Sequence, residues 1–252
     1  MNIVVLVKLV PDLVEELIID DSGTALDTYS IRLIINEFDD HAIEQAIIMK
    51  ERNEAFVTIV APDFEGIDDV LFTAAARGAD KLIKIRGEFQ GEVNNHALAR
   101  AFADVVKELQ PDLILTGVQS PSDLDGSLGP LVAELLGIPY VGYIARVKVD
   151  NGKVVAHKEY PGGLIAEMEV TLPAVIGIQV AEQPPRYVAV SKVRQVMKTA
   201  IIEEQDANPL DPSGGLTVAR MLKPEPAGRA TIIEGSAEEI ATKITEIIKD
   251  AG

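Results

Sequence analysis

Short runs of apolar residues alternate along this chain with longer stretches in which apolar positions recur every three or four residues. Positions 3–10, 56–61, 81–85 and 112–117 show the first pattern; 39–50, 67–77 and 94–109 show the second. The short runs predict strands, and recurrence near the helical period predicts helices with one buried face. Strands and helices that alternate over short links imply a parallel sheet with crossover helices. Run 112–117 is apolar on both faces, as a central parallel strand must be, and a further helix is expected over 126–136.

The pattern then changes. Arg146-Val147-Lys148-Val149 and Lys153-Val154-Val155-Ala156 flank an Asp150-Asn151-Gly152 turn, which predicts a hairpin. Runs 167–170 and 174–180 continue the β character, so a small antiparallel extension is expected at the sheet's edge. From about Glu182 to Arg229 the sequence is punctuated by Pro and Gly with little periodicity. A stretch that long inside a compact domain is either disordered or an arm laid on another subunit. Ser236, with Glu239 three residues on, caps a last helix over 237–249. Its Ile240, Ile244 and Ile247 face needs a covering surface, which favours the arm. The chain therefore divides into an α/β domain over 1–181, with its β extension from about 144, and a docking loop and arm over 182–252.

Charge and composition narrow the partners. The 252 residues carry a formal net charge of -17 and include neither Cys nor Trp. Without cysteine there are no disulfides, thiolate nucleophiles or Cys-ligated metal clusters. The acidic balance argues against nucleic acid, whose binding needs clustered Lys and Arg, and suits either solubility or a partner with a basic patch. No apolar run approaches the ~20 residues of a membrane span. The N-terminus enters a strand pattern without a signal-peptide pattern, so a soluble, cytoplasmic protein is expected.

Motifs for catalysis are missing. Val7-Lys8-Leu9-Val10-Pro11-Asp12 stands after the first strand in place of a Gly-x-Gly-x-x-Gly turn. There is no Walker loop and no Gly-x-Ser-x-Gly elbow. His41, His96 and His157 lack metal-ligand spacing, and Asp68 and Asp69 read as first-turn helix acids. What remains lies at the carboxyl ends of the predicted parallel strands, where open α/β sheets bind ligands. Lys8 follows the first strand, Pro62 and Asp63 the second, and the loop Gln119-Ser120-Pro121-Ser122-Asp123-Leu124-Asp125-Gly126-Ser127-Leu128-Gly129 follows run 112–117. A loop rich in Gly, Ser and Asp that enters a helix brings backbone N–H groups and the positive end of the helix dipole to one spot, as a phosphate site requires. Asn36-Glu37-Phe38-Asp39 opens the helix before the second strand, where Asn36 and Asp39 are either plain N-caps or ligands. Four segments converging on one edge point to a nucleotide.

These residues resemble the beta subunit of electron transfer flavoprotein, the FixA-like family. The likeness rests on Val7-Lys8-Leu9-Val10-Pro11-Asp12, on Asn36-Glu37-Phe38-Asp39-Asp40-His41-Ala42-Ile43-Glu44-Gln45-Ala46, on Ala74-Ala75-Ala76-Arg77-Gly78-Ala79-Asp80 and on the segment 117–139. Gly162-Gly163, Leu172-Pro173-Ala174-Val175 and Pro185-Arg186-Tyr187 fall at the family's spacing, and the likeness runs to about residue 200.

The resemblance implies a parallel-sheet, adenine-nucleotide-binding (Rossmann-like) fold in a heterodimer with an alpha subunit. FAD would sit mainly on the alpha subunit and AMP in this chain, with a second FAD in place of AMP in a bifurcating branch. The pair would shuttle electrons between a flavin dehydrogenase and a downstream acceptor. Carried over by position, the nucleotide contacts are Leu6, Lys8, Asn36, Glu37, Phe38, Asp39, Pro62, Ser122, Asp123, Leu124, Asp125, Gly126, Ser127, Leu128, Gly129, Pro130, Leu131, Val132 and Ala133. The family's docking loop for acyl-CoA dehydrogenases maps to 172–197, with Pro185, Arg186 and Tyr187 at its centre and the leucine anchor replaced by Val190. Pro121, Ser122 and Leu128 depart from the family's Ile, Asp and Gln, and Val188-Ala189-Val190-Ser191-Lys192-Val193-Arg194 departs from its docking run. Glu159, Gly162 and Gly163 form either a turn or a loop that reaches toward the alpha-bound flavin domain. A stand-alone nucleotide sensor of the universal-stress type is the alternative from another class, and it would have no use for the residues after 182.

Overall fold

The computed structural model describes residues 1–27, 31–89, 93–123, 125–150, 153–224, 230 and 232–251. In chain order the first elements are β1 (Asn2–Leu6), β2 (Leu9–Pro11), β3 (Leu33–Ile35), α1 (Glu37–Asn53), β4 (Phe56–Pro62), α2 (Ile67–Arg77), β5 (Lys81–Arg86), α3 (Asn95–Leu109) and β6 (Leu113–Gly117). They are followed by α4 (Leu128–Leu136), β7 (Tyr140–Ile144), β8 (Arg146–Asp150), β9 (Lys153–Tyr160), β10 (Leu164–Val170), β11 (Ala174–Ile178), α5 (Val190–Val196), β12 (Ile202–Asp206) and α6 (Ala237–Ala251). Met1–Arg220 form one compact unit and Met221–Gly252 a second, smaller one.

Seven strands make a parallel sheet in the order β12-β5-β4-β1-β6-β11-β7. Alternate side chains of a strand leave on opposite faces, so the all-apolar central strands feed two cores at once. Ile3 and Val5 of β1, with Leu113 and Leu115 of β6, join the core that α1 and α2 cover. Val4, Leu6 and Ile114 join the core on the other face, under Phe102 of α3 and Val132 of α4. The fold is α/β and Rossmann-like, with a three-stranded antiparallel sheet, β10-β9-β8, as its extension.

Strand–helix alternation is where the sequence pattern puts it up to α4. Run 3–10 is the first departure. It breaks at Val7-Lys8 into β1 and β2, because the backbone of Lys8 leaves the sheet to bond with Asp39 and Asn36, and β2 pairs antiparallel with β3. The hairpin is present as β8 and β9, although Asn151 and Gly152 of its turn lie outside the described residues. Run 174–180 does not continue the antiparallel extension. Its residues 174–178 form β11, fully buried and parallel between β6 and β7, while Gln179 and Val180 are exposed. Strand β7 leaves no strand pattern in the sequence, since it is half-exposed and holds Gly142 and a left-handed Tyr143 (φ 61°).

The stretch read as irregular contains α5 and a seventh parallel strand. Strand β12 is Ile-Glu-Glu-Gln-Asp and carries no apolar alternation. It joins β5 through the parallel ladder, and its carboxylates match the bases of that strand: Glu203 meets Lys81 at 2.8 Å, Glu204 meets Lys84 at 3.4 Å, and Asp206 meets Arg86 at 2.7 Å. In the smaller unit, Ser236 and Glu239 form the expected reciprocal cap, with Ser236 N–H donating to Glu239 Oε2 at 2.8 Å. No helix among the described residues is long and apolar enough to cross a membrane.

Candidate functional site at the switch point of the sheet

From β1 the chain builds outward through β4 and β5, then returns to place β6 on the other side of β1. The strand order reverses between β1 and β6, so a crevice opens at their carboxyl ends, the usual ligand position in such sheets. The two strands run in register, with Val5 beside Leu115. Lys8 and the 118–127 loop are thereby brought to the same edge, and the start of α1 closes over it.

Asp39 spans the crevice. Its Oδ2 accepts the N–H of Lys8 at 3.0 Å and its Oδ1 accepts the N–H of Gly117 at 3.0 Å. The carboxyl group is buried, and burial pushes its pKa up to about 6, against the opposing pull of the Lys8 ammonium and the N–H donors. Asn36 is 1% exposed. Its Nδ2 donates to the Gln119 carbonyl at 3.0 Å, while its Oδ1 has no hydrogen-bond partner. Asn36 does stand at the N-cap of α1, yet its side chain caps nothing. Neither residue is therefore a plain cap: one ties two strand ends together, and the other is a buried acceptor awaiting a donor.

Lys8 is buried, and its Nζ meets Asp123 Oδ2 at 2.5 Å. Burial alone would raise the Asp123 pKa, but the charge and hydrogen bond of Lys8, with N–H groups of Ser120 and Asn95, hold it below the usual carboxylate value. The loop closes on itself at Gly126 (φ +61°), where a Cβ would stand 2.4 Å from the Val118 carbonyl oxygen. At α4 the first N–H groups, from Leu128 and Gly129, have no intrahelical acceptor by position. Gly129 lets the helix approach the sheet so closely that a Cβ would lie 2.9 Å from Thr116 Oγ1. That hydroxyl is a second buried polar atom without a partner.

The remaining candidates fall into three groups. Leu6, Leu128, Val132 and Ala133 are buried in the core under α3 and α4, so only their backbones face the edge. Glu37, Ser122, Asp125 and Pro130 are exposed, Phe38, Gly126, Ser127 and Leu131 are half-buried, and Pro62 closes β4 next to the crevice. Leu124 lies outside the described residues. In the segment expected to dock a redox partner, Tyr187 and Val190 are exposed (87% and 59%), with Pro185 half-buried near them in sequence. Arg186 is committed to α1, where its Nε and N–H donate to Glu44 at 2.8 and 3.0 Å.

Sequence reasoning missed Asn95. This buried residue opens α3, and its Nδ2 reaches Asp123, Asp125 and Ser127 of the loop. A signal was available in the doubled Asn94-Asn95. Asn94 alone caps α3, by accepting the Ala97 N–H at 3.1 Å, which leaves the second Asn without a helical purpose. No cluster of three or more His, Cys, Asp or Glu suited to a metal ion occurs among the described residues.

Asp39 makes a pH-dependent signature. Its pKa rises on folding from 3.8 to about 6, so the folded chain holds this proton more tightly. The associated stability is fully present below about pH 4 and lost as the pH rises through 6, a change of about 3 kcal/mol. Urea unfolding of wild type and Asp39→Asn from pH 4 to 7 should show wild type losing that much relative to the variant. A constant difference across the range would mean that burial does not raise the pKa of this carboxyl group.

The sequence pattern that defines the Electron transfer flavoprotein domain matches residues 24–210. The chain is 32% identical to the electron transfer flavoprotein subunit beta of Methylophilus methylotrophus, over 99% of its own length and 98% of the relative's. It is 32% identical to the subunit of the same name from Syntrophomonas wolfei, over 87% and 85% of the two lengths. The corresponding Clostridium acetobutylicum subunit is 30% identical over 99% and 98%.

Proposed function

The chain belongs to the electron transfer flavoprotein family, among its beta subunits, and from that premise we propose that it binds an adenine nucleotide at the switch point and pairs with an alpha subunit that carries FAD. The pair shuttles electrons between a flavin dehydrogenase and a downstream acceptor. FAD supplies the redox chemistry when bound, and this chain supplies binding, position and electrostatics.

The observation that carries the nucleotide reading is Asn36 Oδ1, a buried acceptor with no partner at the edge where the fold places ligands. A hydroxyl or amino group of a nucleoside would satisfy it. The α4 N-terminus, with Gly126 and Gly129 leaving room for close approach of backbone, offers N–H donors to a phosphate. Lys8 is the cation of the site, and because it is already paired with Asp123, an incoming phosphate shares it with that carboxylate. These groups fit an adenosine phosphate, with AMP as the resident.

Co-expression with an alpha subunit from the same genome, followed by acid extraction and quantification of FAD and AMP, tests the reading. One FAD and one AMP per heterodimer is the expected result. Two FADs and no AMP would instead put a second flavin in this chain. A chain that recruits no alpha subunit and holds nucleotide without flavin would refute the electron-carrier role and favour a stand-alone sensor.

A further inference from the structure

We propose that Asn95 is a positioning residue for the nucleotide: by setting its amide nitrogen against Asp123, Asp125 and Ser127 it takes a share of the Asp125 carboxylate that would otherwise bind only the N-cap of α4, and so sets the site's affinity for a phosphate ester. The proposal rests on the nucleotide reading above.

Asn95 Nδ2 lies 3.0 Å from Asp123 Oδ2, 2.9 Å from Asp125 Oδ1 and 3.1 Å from Ser127 Oγ. With two carboxylates facing it, the amide must present its nitrogen there, because its oxygen would be repelled. Two carboxylates two residues apart at the mouth of an anion site repel each other and an arriving phosphate. Asp123 is neutralised by Lys8 at 2.5 Å. Asp125 meets neutral donors: Asn95, the Ser127 N–H at 3.3 Å and the Ser127 hydroxyl at 3.0 Å.

Asp125 is shared between α3 and α4. Its Oδ1 meets Asn95 at 2.9 Å and the Ser127 N–H at 3.3 Å, while Oδ2 accepts the Ser127 hydroxyl, so the amide competes with the N-cap of α4 for this carboxylate. Without that amide, Oδ1 would bind the Ser127 N–H alone, and the carboxylate would compete more strongly with phosphate for the N-terminal donors of the helix. Asn is a mediocre helix former, and Asn94 already provides the cap of α3. The identity of residue 95 thus serves the loop rather than its own helix.

The test is calorimetric titration of AMP into the nucleotide-free full-length chain, with urea unfolding of each variant as a measure of fold. Asn95→Ala should weaken AMP at least tenfold, and Asn95→Asp, which adds a third carboxylate, should weaken it further. In an Asp125→Ala background the Asn95→Ala loss should shrink to about twofold or less, because the competitor is gone. A purely structural role would lower stability but leave AMP affinity and this coupling unmoved. If Asn95→Ala does not fold, Asn95→Ser, which keeps a shorter donor, should show an intermediate loss cancelled by Asp125→Ala in the same way. Wild type binding AMP with either Asn95 variant within twofold of it would overturn the positioning role and leave the nucleotide reading standing. Wild type failing to bind AMP would overturn both.

Discussion

Gly117→Ala should destabilise the chain by about 4 kcal/mol, although the new group is a single methyl. A Cβ at this position would stand 2.3 Å from Asp39 Oδ1, 2.7 Å from the Phe38 Cβ and 3.0 Å from the Asp39 backbone nitrogen. Asp39 Oδ1 is held in place by the carboxylate's bonds to Lys8 and Gly117, and the other two atoms belong to the first turn of the helix, so the start of α1 would have to move off the sheet. Overpacking of this kind costs about 1–3 kcal/mol, and breaking a buried hydrogen bond to a charged acceptor adds about 1.5–3 kcal/mol. The glycine is needed for closeness, not for its backbone angle, which is not left-handed. Gly163 provides the contrast: it has φ +76° with nothing within 4 Å of an added methyl, so alanine there carries only the left-handed penalty of about 1–2 kcal/mol. Urea unfolding of both variants checks the ranking. If Gly117→Ala were the milder of the two, Asp39 would not be the tie between β1 and β6.

What was legible in the sequence follows from which force holds each element. Strands β1, β4 and β6 are held by apolar burial on both faces and β5 by Leu82, Ile83 and Ile85, and burial leaves a mark in composition that a reader can see. Strand β12 is held by its parallel ladder to β5 and by Ile202 on the core, with Glu203, Glu204 and Asp206 facing the bases of β5, and so charged a strand reads as a loop. The apolar run at β11 was visible, but its place between β6 and β7 was not. A hairpin precedes it in sequence, and nothing local says that the chain then returns to the middle of the sheet.

The site divides in the same way. Lys8, Asn36, Asp39 and the 118–127 loop could be found because fold class alone sends the carboxyl ends of central strands to a ligand crevice. Their roles needed distances. A cap and a strand-bridging carboxylate are the same residue type at the same helix position, and only the bonds to Lys8 and Gly117 separate them. Asn95 acts across a sequence gap of 28 to 32 residues, on partners that no local pattern connects to it.

Arg186 illustrates the converse, a residue whose motif points outward while its side chain is engaged inward. Its Nε and N–H bind Glu44, which is buried on α1, and its terminal nitrogens meet Glu51 at 2.5 and 3.1 Å. Hydrogen bonds donated to Glu51 and Glu44 hold the guanidinium well above its ordinary pKa, so it is charged at any working pH. Arg186→Leu would strand the Glu44 carboxylate in the core. Removing one partner of a buried pair costs about 3–5 kcal/mol, but Arg186 is 32% exposed and Glu44 keeps the backbone N–H. A loss of about 2–3 kcal/mol is therefore expected, or roughly 5–10 °C in Tm for a chain of this size. Glu51 is exposed, so Glu51→Gln should cost under about 1 kcal/mol. The decisive variant is Glu44→Met with Arg186→Leu, which removes both charges and should recover much of the loss, since a buried pair replaced by apolar groups is often neutral. Recovery would make Arg186 the staple that sets where Tyr187 and Val190 are displayed. No recovery would mean that the hydrogen bonds to Glu44, rather than its unpaired charge, hold the segment before Tyr187 to α1.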